Sequence, residues 1–169
     1  MATDTRDVIS VLNDLIETCK DGVNGFRTAA AAVQSPEAKA LFNSRVPIIE
    51  HAAEELQAQV VRLGGDPERT GSVAATLHRG WIDLKSAVTG RDDAAIITEC
   101  ERGEQVAVKN YEDALKKDLP ADIRALVERQ YRGTIQNLEK VRALGVVRGA
   151  DAPIVAPRPE ADRGTAPPA

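Results

Sequence analysis

From Ile9 onward, apolar residues recur at alternating spacings of three and four: Ile9, Leu12, Ile16, Cys19, Val23, Phe26 and Ala30. This is the seam of a bundle helix, predicted over about 5–33. Gln34-Ser35-Pro36-Glu37 then makes a turn, with Ser35 as N-cap and Pro36 at the first helical position. A second helix is predicted from Pro36 to about Leu63, with Phe42, Ile49, Ala52, Leu56 and Leu63 facing inward and a kink at Pro47. Gly64-Gly65-Asp66-Pro67 ends it. A third helix is predicted over about 92–117, closed by the turn Asp118-Leu119-Pro120, and a fourth over about 121–144.

The segment joining helices 2 and 3 is too long for a hairpin. It carries its own apolar stripe, Val73, Leu77, Trp81, Leu84 and Val88, and so an extra helix over about 73–88. A short loop, a long crossover and a short loop define an all-α, ferritin-like four-helix bundle in which helices 2 and 3 run parallel. The domain should span residues 1–147. Beyond it, GADAPIVAPRPEADRGTAPPA has no helical stripe and holds five of the nine prolines, so residues 148–169 are expected to be a disordered Pro/Ala-rich tail.

Composition narrows the function. Aromatic residues make up only 3% against 43% hydrophobic residues overall, the usage of closely packed helices. The net charge of −4 argues against nucleic acid and anionic membranes as partners. MATDTRD lacks the marks of a signal peptide, and no apolar run is long enough to span a bilayer, so a cytoplasmic protein is expected. Cys19 and Cys100 lie on separate helical stripes without C-x-x-C spacing and read as buried thiols.

Three helices break their own apolar pattern. On helix 3, Ile97, Cys100, Val108, Tyr111 and Leu115 all project within roughly 40° of Glu104, with Glu101 about 60° to one side. On helix 2, Arg45 stands at the centre of the stripe. On helix 4, Gln130, Thr134 and Asn137 share a strip with Ile123, Leu126, Val141 and Leu144. With helices 2 and 3 parallel and starting level, counting turns places these groups within a few Å of one height. The sequence thus predicts a buried polar network of Arg45, Glu101, Glu104, Tyr111, Gln130, Thr134 and Asn137.

Two accounts compete for that layer. In one, Arg45 supplies the positive charge that a buried carboxylate requires, and the bundle is chemically silent. In the other, carboxylates hold iron, with Glu101, Glu104, His51 and Glu55 as the available ligands. The residue inventory favours the first, with no metal and no cofactor. Asp14, Glu17 and Asp21 project roughly 140° to 160° from the Cys19 direction of helix 1, toward water. In EHAAEE, His51 precedes Glu55, whereas di-iron sites use Glu-x-x-His; helix 4 has no histidine, and His78 is in the crossover. Gly22, Gly25 and Ala29 form a small-residue strip that admits another helix, from this chain or a second subunit.

The runs ETCKDGVNGF, ELQAQVVRLGGDPERTGS, LHRGW and ECERGE, followed by Tyr111 and Ala114-Leu115, resemble a bacterial family of four-helix-bundle proteins, a domain of unknown function in the ferritin-like superfamily. The likeness covers about residues 5–144. It implies a ferritin-like fold; ferroxidases, di-iron oxidases and peroxide-scavenging proteins are found in the wider superfamily. Members of the family often carry a histidine in helix 4 where this chain reads Asn137-Leu138-Glu139. The resulting expectation is a non-catalytic bundle acting through self-association, as a homodimer, or through protein partners, with a stress-related role in view. The alternatives are a di-iron or single-metal carboxylate protein and an adaptor recruited through its tail.

Overall fold

The computed structural model describes residues 4–67 and 92–150, with side chains as far as residue 146. Within them lie four α-helices and no strand: α1 (Thr5–Ala32), α2 (Pro36–Arg62), α3 (Asp93–Leu115) and α4 (Ala121–Ala150). The expected crossover helix over 73–88, with His78 and Trp81, lies outside the described residues; of the tail expected over 148–169, residues 148–150 are helical and the rest lies outside the described residues. Helix α4 continues past Leu144 because Val146, Val147 and Arg148 do nothing to stop it; Pro153 is the first residue that cannot extend a helix.

Local chemistry sets the helix ends. Asp4, Ser35 and Asp92 each accept a backbone N–H of the following first turn, supplying the acceptor that an N-terminus needs. Helix α2 closes in a Schellman turn: Gly65 N–H donates to the Val60 carbonyl and Gly64 N–H to that of Val61. Gly64 has φ 79°, a conformation that favours glycine. At Gly65 a Cβ would stand 2.8 Å from Ile9 Cγ2, so the end of α2 presses against the start of α1. Helix α2 runs unbroken through Pro47, whose exposed position lets water take the Asn43 carbonyl that the missing N–H leaves free.

Helix α1 packs against α2 and α3, and α4 against the same two, which puts α2 and α3 at opposite corners. Their direction is fixed at one end of the bundle. Asp93, at the start of α3, accepts the backbone N–H groups of Gln34 and Ser35 at 2.8 Å each, just before α2 begins. Helices α2 and α3 therefore start level and run parallel. Arg62, at the end of α2, reaches Asp122 at the start of α4 at 2.6 Å, so that pair is antiparallel.

Leu12, Ile16, Phe26, Phe42, Leu56, Ile96, Ile123 and Val127 are fully buried between the four helices. Phe26 and Phe42 meet with ring centroids 5.6 Å apart, in the tilted geometry that aromatic pairs favour. The small-residue strip of α1 is used inside the chain: Gly22, Gly25 and Ala29 are buried, and a Cβ on Gly22 would lie 3.3 Å from Ile49 of α2. The reading of Asp14, Glu17 and Asp21 as a solvated face needs correction, since all three are half-buried. Helix α1 is flanked on two sides and buries most of its circumference, Asn13 and Thr18 included.

Asp93, itself buried, satisfies two backbone donors of a turn in which Gln34 is exposed and Ser35 half-buried. Asp93→Ala should cost about 2–3 kcal/mol in urea unfolding by stranding them, and Asp93→Asn, which keeps one acceptor, about half as much.

Candidate functional site

The middle of the bundle is polar. Each helix contributes: Cys19 from α1, Arg45 from α2, Glu104 and Tyr111 from α3, and Gln130, Thr134 and Asn137 from α4, all of them buried. Arg45 Nε donates to Glu104 Oε1 at 3.5 Å, and Nη2 to Thr134 Oγ1 at 3.4 Å. Both contacts are long beside the ~2.8 Å typical of a guanidinium on a carboxylate. Tyr111 OH donates to Gln130 Oε1 at 3.0 Å and lies 3.6 Å from Cys19 Sγ. Gln130 Nε2 in turn donates to the Ala52 carbonyl and to Glu55 Oε2, at 3.2 and 3.0 Å.

Glu101 does not belong to this layer. Its side chain keeps 32% of its exposure, accepts from Arg142 Nε at 3.0 Å, and also accepts from Gln105. An offset of one-sixth of a turn from the seam was enough to carry it to the bundle's flank, where α4 presents an arginine. Asn137 stands close enough to Glu104 to influence its ionisation. Glu104 Oε2 and Asn137 Nδ2 are nevertheless both buried without a hydrogen bond of ordinary geometry. Each is the partner the other lacks.

Electrostatics follow burial. Desolvation pushes the Glu104 carboxyl above its usual 4.5, and Arg45 and Asn137 offset this only in part. A single long contact does not repay the loss of water around a charge. Burial likewise lifts the Cys19 thiol to about 11, against the lowering effect of Tyr111, so this sulfur stays protonated and unreactive. Cys100 and Tyr111 are raised for the same reason. Desolvation also acts to raise Glu55, but its bonds from Arg129 and Gln130 prevail and hold it below 4.5.

A cavity of about 230 Å³ opens from this layer toward the α2–α4 side. Arg45, Cys19, Tyr111 and Thr134 are among its inner lining. Glu55, His51 and Arg129 line it as well, with Arg129 Nη2 bonded to Glu55 Oε1 at 2.7 Å. His51 is 70% exposed, and its ring nitrogens lie 3.7 Å from Glu54 and Glu55. Gly133 also lines the cavity, and a Cβ placed there would meet nothing within 4 Å. No part of the helical pattern pointed to this space; the one available sign was a glycine in the interior of a long helix.

A family model for a domain of unknown function, DUF2383, matches residues 7–117. The chain belongs to that family. Among solved structures, it is similar to a two-domain protein from Anabaena variabilis containing DJ-1/ThiJ/PfpI-like and ferritin-like domains. The TM-score is 0.73 at 17% identity, over 97% of this chain and 42% of that one. This DUF2383 chain therefore has the ferritin-like fold and spans less than half the length of that relative. No curated protein matches it. Among the described residues, no helix is long and apolar enough to cross a membrane.

The metal pairs of ferritin-like proteins are held by inward carboxylates from all four helices, two of them in Glu-x-x-His motifs. The donors of this chain do not fit that pattern. At the centre, α1 offers a thiol, α2 a guanidinium, α3 one carboxylate, and α4 amides and a hydroxyl. Of the ligands considered for iron, His51 and Glu55 come together, Glu104 faces Arg45, and Glu101 is on the flank. Among the described residues, no group of three His, Cys, Asp or Glu side chains is placed to hold a metal ion.

Arg45→Met should cost about 3–5 kcal/mol by leaving Glu104 buried and uncompensated, and adding Glu104→Leu should recover much of the loss. Chemical unfolding of the single and double variants reads both values. A second expectation concerns pH. Because the folded pKa of Glu104 is raised, the stability linked to its proton is fully present below the unfolded value of 4.5 and is lost as pH rises through the folded pKa. Glu104→Gln carries no such proton, so its stability relative to the parent should improve steadily across that window in unfolding experiments run at a series of pH values.

Proposed function

We propose that this chain works by association, first of all with a second copy of itself, and performs no metal-dependent oxidation. The observation that supports this reading is the guanidinium of Arg45 in the central layer, where a carboxylate-bridged metal pair would require anionic ligands. A cation cannot neighbour a second cation there without an added carboxylate to balance it. The nearest surplus acids, Glu55 and Glu101, are each engaged by an arginine of α4. Two large apolar side chains on the outside of α2, Ile48 and Val61 at 57% and 61% exposure, are available as separate contact points for a partner.

The test combines composition with mass. Protein incubated with ferrous iron and desalted should retain well under one iron per chain and oxidise iron no faster than buffer. Light scattering should give twice the 18.1 kDa chain mass. About two tightly bound irons per chain would overturn the non-metal reading, and a mass of one chain up to high micromolar concentration would overturn self-association.

A further inference from the structure

The central arginine is under-used. A guanidinium carries five N–H donors. Among the described residues, Arg45 makes two hydrogen bonds, at 3.5 Å from Nε and 3.4 Å from Nη2. Its side chain is 9% exposed, and the cavity of about 230 Å³ is where it meets open space. Among the described residues, the end formed by Nη1 and the second hydrogen of Nη2 has no protein acceptor. The other acceptors of the wall, the Tyr111 phenol oxygen and Gln130 Oε1 among them, are not hydrogen-bonded to Arg45, whose bonds go to Glu104 and Thr134 alone among the described residues.

A second, independent observation comes from the opposite wall. Gly133 lies inside α4, where glycine costs about 1 kcal/mol relative to alanine. In most helices such a residue admits a close neighbour, but here a Cβ would meet nothing within 4 Å. The glycine keeps the cavity open and packs against no neighbour. Ile49, Ala52 and Ala107 supply an apolar part of the wall. A hole of about 150 Å³ already accepts benzene, so this one has room for a ring and a small polar head.

We propose that the cavity is a binding site for a small monocarboxylate with a compact apolar body, its carboxylate received end-on by Arg45 and its body lying between α2 and α4 beside Gly133. A bidentate carboxylate completes the guanidinium with two short charge-assisted bonds, which water reproduces less well. Arg129 is already neutralised by Glu55, so a ligand carboxylate is balanced by Arg45 when Glu104 carries the proton that its burial favours, and a second negative charge would have no partner. This site does not rest on the association reading, although Ile48, exposed on α2, also stands at the rim of the cavity.

Benzoate is the probe, with benzyl alcohol as its uncharged analogue of similar shape. Titration of the full chain, followed by amide chemical shifts and calorimetry, should give benzoate binding at least tenfold tighter than benzyl alcohol, with shifts centred on residues 45, 130 and 134. Arg45→Lys, which keeps the charge and loses the fork, should weaken benzoate at least tenfold. Gly133→Leu leaves Arg45 in place and fills the space, and should abolish binding while the chain stays folded; it decides the matter even where the Arg45 variant does not fold. Absence of benzoate binding at about 1 mM, equal affinity for the two probes, or full affinity in Gly133→Leu would each overturn the site.

Discussion

A guanidinium in the middle of a helical bundle constrains everything around it. Arg45 has lost most of its water, and its nearest countercharge is on the helix diagonally opposite, since α2 and α3 share no principal packing face. Only a long side chain can cross that diagonal, and the 3.5 Å separation from Glu104 shows the reach at its limit. Such a pair contributes little net stability, because desolvation consumes what the attraction returns. What it does contribute is registry: a slip of α2 against α3 by one turn, about 5.4 Å, would strand both charges.

The same register is fixed a second time at the bundle's end. Asp93 receives the backbone N–H groups of Gln34 and Ser35, so the first turn of α3 is tied to the loop that starts α2. Counting from that tie, Arg45 and Glu104 arrive at one height because each sits about as far into its own helix. One contact sets the axial origin, and the other penalises any departure from it. Helix α4 then fills the layer with residues able both to accept and to donate: Thr134 accepts from Arg45 and donates to the Gln130 carbonyl, and Gln130 links Tyr111 to Glu55.

Periodicity made the four helices legible, because each buries a stripe that repeats every three or four residues. It also exposed Arg45 and Glu104, since a charge at the centre of such a stripe has nowhere else to go. It could not resolve angles near the stripe's edge. Glu101, about 60° off the seam, reached solvent and Arg142 because the bundle's flank happens to be open there. Asp14, Glu17 and Asp21, much further from the seam, are half-buried because α3 closes over a second side of α1. Asp93 stood out in no periodic pattern, because the partners that define its role are 58 and 59 positions away. The cavity left no trace in the pattern, because empty space has no residue type.

These features share a thermodynamic direction. A buried arginine with two stretched bonds, a carboxylate whose burial raises its pKa, and a glycine inside a helix that touches nothing are each less stable than an available alternative: a well-packed apolar pair for the first two, and alanine for the third. Arg45 and Gly133 also face one cavity from opposite walls, and Glu104 is the countercharge of that arginine. A bundle shaped only for stability would carry alanine at residue 133 and replace the charge pair with leucines. Retaining all three departures at one place concentrates the unfavourable energy where a bound carboxylate would offset it, since a ligand lowers the free energy of the folded state and leaves the unfolded chain unchanged.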